Sequence, residues 1–186
     1  MFIETLIFSI IVGLIRKGNI KNFGLIQLRG ISFLFAAYLV QFMLNRVDSS
    51  LLDIPVLISA NIGSLIHIGT YILLFCFFWL NRYQFNFLLP LGTFLNFVVI
   101  TLNGGVMPVK TTYIPEESIV YLVESITHAV MTAETLLPFL GDIIYVSWPM
   151  QQMISVGDIV MNLGIFIFIQ KTMVRRRRHH SCQSWI

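Results

Sequence analysis

The sequence predicts an all-α fold, a polytopic transmembrane helical bundle of about five spans with an extracytoplasmic amphipathic or re-entrant helix before the last span. Composition, the spacing of apolar runs and the segregation of charge each point there. Of 186 residues, 56% are hydrophobic and only 11% charged, whereas a soluble domain coats itself with about a quarter charged residues. Apolar runs at 31–44, 60–80, 85–102 and 154–169 approach the roughly 20 residues a helix needs to cross about 30 Å of hydrocarbon. No Pro/Ser/Gly-rich stretch interrupts them, so residues 1–170 read as one domain, with an outer loop at 103–154 and a basic tail at 171–186.

The first run, Phe2–Ile15, is shorter. It begins with Glu4, carries its positive charges behind it and shows no small-residue cleavage site, so it reads as a retained helix rather than a secretory signal. Arg16, Lys17, Lys21 and Arg29 follow it; Arg82 separates the third and fourth runs; Lys171 and the arginines 175, 176, 177 and 178 follow the last. Only Arg46 and Lys110 fall on the other side, together with all nine acidic residues. Lys/Arg bias toward the cytoplasm then places the N-terminus outside and the C-terminus inside a cell membrane, which an odd number of spans satisfies. Cys76 lies in the third span and Cys182 in the tail, too far apart to pair.

The outer loop collects the unusual residues. It opens with Asn103-Gly104-Gly105-Val106-Met107-Pro108, where Asn-Gly and Gly-Gly favour positive φ and a tight reversal. Exposed N–H groups of such a turn can bind an anion or a carbonyl oxygen; equally, the turn can simply end the fourth span. Glu116 and Glu117 then begin a helical pattern in which Ile119, Val123, Ile126 and Val130 share one face and Glu117, Tyr121, Glu124 and His128 another. The pattern describes an amphipathic helix over 119–135, interfacial, re-entrant or spanning. Glu124 and His128 at i, i+4 can share a proton or a ligand, or form a solvated face, and His67 is the other histidine within reach of them. No metal centre and no cofactor are expected.

Leu140-Gly141-Asp142 and Ser155-Val156-Gly157-Asp158 flank a Trp148-Pro149 turn. A carboxylate at the mouth of a span needs water, a helix N-terminus or a partner. Ser155 and Asp158 have capping-box spacing, the Ser capping the last helix and the acid reaching back to a free N–H. Asp142 and Asp158 also fit a catalytic dyad, two carboxylates sharing one proton and activating a water.

Taken together, Asn103-Gly-Gly-Val-Met-Pro108, Leu140-Gly-Asp142 and Ser155-Val-Gly-Asp158 resemble an uncharacterised family of small bacterial multi-pass membrane proteins. The last third is more faintly similar to lipoprotein signal peptidase, in which an outer-face Asp precedes a Trp-Pro and an Asn-Val-Ala-Asp-like motif. That similarity implies Asp142 and Asp158 as the catalytic pair, with Ser155 and Gly157 standing where that family has Asn and Ala. Three function classes follow: an intramembrane aspartyl-dyad hydrolase, a component binding a lipid, ligand or membrane-protein or peptide partner through the outer loop, and a transporter. His67 and Asn96 are the mid-span polar residues a transporter would use, though they fit helix packing as well. No nucleophile triad or nucleotide-binding loop is present. The tail arginines with His179 and His180 lack a folded basic platform, so no nucleic-acid partner is expected, and an anionic inner leaflet is.

Overall fold

The computed structural model describes residues 2–44, 56–123, 125–149 and 151–174, with only the backbone course at 56–61, 118 and 121. Arg46, Asp48, Asp53, Glu124, Cys182 and the tail residues Arg175 to His180 lie outside the described residues. Among the described residues six α-helices dominate: α1 (Phe2–Ile15), α2 (Ile31–Leu44), α3 (Val56–Leu80), α4 (Leu88–Leu102), α5 (Glu116–Val123) and α6 (Val156–Met173). Segments Ile62–Leu80 and Val156–Met173 are long and apolar enough to cross a membrane, while α1, α2 and α4 are shorter apolar helices of 14, 14 and 15 residues.

Helix order in space differs from order in sequence. α6 packs between α1 and α4, α4 also touches α3, and α2 lies on α3. Glycines allow the closest of these approaches. A Cβ at Gly92 would stand 2.5 Å from the Gly157 carbonyl oxygen, and one at Gly13 would enter the Met173 thioether. Small residues at such crossings let helices approach closely enough for extensive van der Waals packing.

The connections at the basic end are tied by side-chain amides. Asn22 Nδ2 donates to the Met173 carbonyl (3.0 Å), Asn86 Nδ2 to the Gly164 carbonyl (2.7 Å), and Asn81 brackets residue 29, accepting its N–H (2.9 Å) and donating to its C=O (2.8 Å). Asn22 and Asn81 thereby bond backbone groups at a helix end and a turn, while Asn86 adds a second donor to a carbonyl inside α6.

At the opposite end the structure departs from the all-α expectation. β1 (Met107–Val109) pairs in parallel with β2 (His128–Val130), and β3 (Ile144–Val146) pairs antiparallel with β4 (Gln152–Ile154), with Trp148-Pro149 in the connecting loop. The amphipathic helix expected over 119–135 is therefore corrected to α5, which ends at Val123. Ser125 is the cause: its hydroxyl accepts the N–H groups of Thr127 (3.3 Å) and His128 (3.1 Å), turning the chain out of the helix and into β2. Ile126 then buries against Gly63 of α3 while Val123 stays 71% exposed, so the two do not share a face. A core of Tyr71, Val99, Ile100 and Met107, flanked by Phe97 and Leu140, seats this cap on α3 and α4.

Candidate functional site

β1 is the organising strand of the cap. Its buried backbone receives β2 on one side, through Met107 N–H to Thr127 O (2.8 Å) and Met131 N–H to Val109 O (2.9 Å). On the other side it receives residue 142, through Asp142 N–H to Pro108 O (2.9 Å) and Lys110 N–H to Asp142 O (3.0 Å). Pro108 sits where only this short bridge is needed, so its missing N–H leaves no gap in a longer ladder. Gly141 permits the approach: a Cβ there would lie 2.6 Å from the Pro108 carbonyl oxygen.

Asn103, Gly104 and Gly105 form the reversal the sequence predicts, with φ of +72° and +88° at the glycines. Asn103 Nδ2 donates to the carbonyls of Val99 (2.7 Å) and Leu136 (2.9 Å), and its Oδ1 accepts the Leu136 N–H (2.9 Å). The Gly105 carbonyl accepts from Nδ1 of the buried His67 (2.8 Å). The motif's polar groups thus clamp the cap to α3 and α4.

Asp158 is held in the capping box. Ser155 Oγ accepts the Asp158 N–H (3.0 Å), and Asp158 Oδ2 accepts the Ser155 N–H (3.2 Å). Asn96 of α4 completes the joint, donating from Nδ2 to Asp158 Oδ1 (2.9 Å) and accepting at Oδ1 from the Ser155 hydroxyl (2.8 Å). Gly157 lies against the Asn96 side chain and the Gly92 carbonyl, with no room for a Cβ. Ser155, Gly157 and Asp158 therefore fasten the start of α6 to α4.

Asp142 has a different environment. Its side chain is 9% exposed, Oδ1 has no hydrogen-bond partner among the described residues, and Oδ2 lies 4.0 Å from His128 Nε2, beyond hydrogen-bond range. The carboxyl lines a cleft of about 410 Å³ with His128, Ser125, Tyr113, Tyr145 and Gln152. Tyr113 and Tyr145 stack at 5.4 Å between centroids, forming an aromatic wall. Burial, reinforced by the nearby Asp158 charge, pushes the Asp142 pKa up to about 8. Desolvation of the inner part of the ring, with His67 adding to it, pulls His128 down to about 4, while 39% of its side chain stays exposed. At neutral pH the carboxyl is therefore protonated and the imidazole neutral, giving one O–H donor beside a ring whose Nδ1 is 2.8 Å from Thr127 Oγ1.

The structure thus brings Asp142 and Gly141 together with His128 and Pro108, and places Ser155, Gly157 and Asp158 in a separate joint. No hydrogen bond links Asp142 to Asp158 among the described residues. Sequence reasoning missed the Ser125 turn and the Tyr113–Tyr145 wall; Ser125-x-Thr127-His128 was the available signal for the first.

A profile of the Family of unknown function (DUF5317) matches residues 25–170, well over half of the chain. The chain belongs to this family. Both the Asn96–Ser155–Asp158 joint and the Asp142 cleft fall inside the DUF5317 match, whereas α1 precedes it. An uncharacterized protein of Thermotoga maritima is similar, 29% identical over 171 residues that span 90% of this chain and 89% of the relative. No solved structure matches this DUF5317 chain.

Proposed function

We propose that this protein is a five-span integral membrane protein of the cell membrane whose extracytoplasmic cap binds a small ligand in the Asp142 cleft. One observation carries the binding reading: a nine-tenths buried carboxyl with an unpartnered oxygen faces a cleft of about 410 Å³. An unsatisfied buried polar atom costs about 1–3 kcal/mol, a cost that a ligand hydrogen bond offsets. The lining favours a compact, partly apolar molecule that stacks on Tyr113 and Tyr145 and accepts a hydrogen bond from the protonated Asp142.

Apolar carbodiimides test this directly, because they enter hydrophobic clefts and react with protonated carboxyls. In membranes at neutral pH, dicyclohexylcarbodiimide is expected to modify Asp142 in the wild type and to leave that peptide unmodified in Asp142→Asn. Modification confined to the exposed Glu116 and Glu117 would show that the cleft admits no such molecule or that Asp142 is ionised, and the reading would fall.

The aspartyl-dyad reading has one observation in its favour, the contribution of the Asp158 charge to holding the proton on Asp142. It requires Asp158 to activate a water, yet both Asp158 oxygens are engaged by Asn96 and the Ser155 N–H. Binding needs no such release, so it is the reading the geometry supports best.

A further inference from the structure

A second cleft, at the opposite end of the molecule, has a different chemistry. It also encloses about 410 Å³, and lies where α1 ends against the last turns of α6, lined by Arg16, Phe166, Ile167, Gln170, Lys171 and Val174. Apolar side chains form the wall and two cations stand at the rim. Gln170 builds the site: buried at 6% exposure, it donates from Nε2 to the Ser9 carbonyl (2.7 Å) and accepts at Oε1 from the Arg16 guanidinium (3.1 Å). The guanidinium is thereby held over the cleft through one of its five donors, leaving the others free to grip an anion. Every described acidic residue belongs to α1's first turn, to the outer cap or to the first turn of α6, so among the described residues no carboxylate neutralises this rim.

We infer that this cleft is a binding site for an anionic phospholipid of the inner leaflet, its headgroup phosphate between Arg16 and Lys171 and an acyl chain along Phe166 and Ile167. The assignment rests on the membrane reading above. Charge complementarity selects the phosphate, since the planar Arg fork accepts two phosphate oxygens and Lys supplies a point charge. The apolar wall selects a lipid over a soluble anion, because a free phosphate gains nothing from Phe166 and Ile167. The position at the basic end matches where anionic lipids concentrate.

Native mass spectrometry and thermal unfolding in nanodiscs of phosphatidylglycerol or phosphatidylcholine decide the matter. Wild-type protein is expected to retain phosphatidylglycerol and to unfold at a higher temperature in it. Arg16→Gln with Lys171→Gln is expected to weaken retention by about fivefold per cation removed. Lys21→Gln with Arg82→Gln, equal in charge change but outside the cleft, is expected to keep it. Should both pairs lose retention equally, only diffuse surface charge is at work and the site is overturned. Equal retention of the two lipids by the wild type overturns it as well, and so does equal stabilisation by inorganic phosphate in neutral nanodiscs. If the double Gln variant fails to fold, Lys171→Gln alone is compared with Lys21→Gln: weaker retention in the first than in the second supports the site, and equal retention overturns it. The membrane reading fails separately, if the chain is released from membranes by alkaline carbonate.

Discussion

Asp142 ties the cap's chemistry to its stability. Because its pKa rises from 3.8 to about 8 on folding, the native protein binds more protons than the unfolded chain between those values. Stability is therefore lost as pH rises through that window. His128 works in the opposite sense: its pKa falls from 6.5 to about 4, the native state binds fewer protons, and stability is lost as pH falls from 6.5 toward 4. The two effects oppose each other in mild acid, and above 6.5 only Asp142 remains. Its slope there is at most about 1.4 kcal/mol per pH unit. Wild-type protein in detergent is thus expected to melt at progressively lower temperature between about pH 6.5 and 8, while Asp142→Asn, of the same shape and without charge, stays level. Parallel melting curves for the two proteins across that range would show that Asp142 is already ionised in the folded state.

The joint between α4 and α6 is the element-scale counterpart. Ser155→Ala removes a helix cap, a loss of about 0.5–2 kcal/mol, and leaves the Asn96 amide oxygen buried and unpaired, a further cost of about 1–3 kcal/mol. Asn96→Ala removes the same bond from the other side, so the double variant is expected to cost less than the sum of the singles by at least about 0.5 kcal/mol. Reversible unfolding in mixed micelles measures the cycle, and strict additivity would refute the network. The Ser155–Asp158 half of this joint was legible in the sequence because capping is local, a hydroxyl and a carboxylate three residues apart at the start of an apolar run. Asn96 comes from another helix, 59 positions before Ser155, and no spacing rule connects them. The same limit hid the β1–β2 pairing: three-residue strands are too short to show a period, and the helical spacing of Ile119, Val123, Ile126 and Val130 continued past the Ser125 turn that breaks the helix. Tight-turn chemistry at Asn103-Gly104-Gly105 was legible for the opposite reason, since positive φ at adjacent glycines is a property of the residues themselves.

At the scale of the whole molecule, five helices run alternately between two chemically distinct ends. α1, α3 and α6 finish at the end where Asn22, Asn81 and Asn86 close the connections and where Arg16, Lys21, Arg29, Arg82 and Lys171 lie; α2 and α4 begin there. The flanks between the ends are apolar and outward-facing, with Ile7, Phe8 and Ile11 on α1, Phe35 and Leu39 on α2, and Leu65 and Ile72 on α3 each at least half exposed. On the membrane reading proposed above, lipid covers these apolar side chains. The orientation proposed above, with the cap outside, follows from the positive charge at the other end. In a background with Cys76 and Cys182 replaced by Ser, single cysteines at Tyr113 and Trp148 (59% and 82% exposed) report on the cap. Cysteines at Ile20 and Tyr83 (52% and 88% exposed) report on the basic end. A membrane-impermeant maleimide is expected to label the first pair in intact cells and the second only after permeabilisation. Labelling of both pairs in intact cells would mean that no bilayer separates the ends, and the five-span reading would fail. The reversed pattern would keep the spans and turn the Asp142 cleft to the cytoplasm, moving the Arg16–Lys171 site to the outer leaflet.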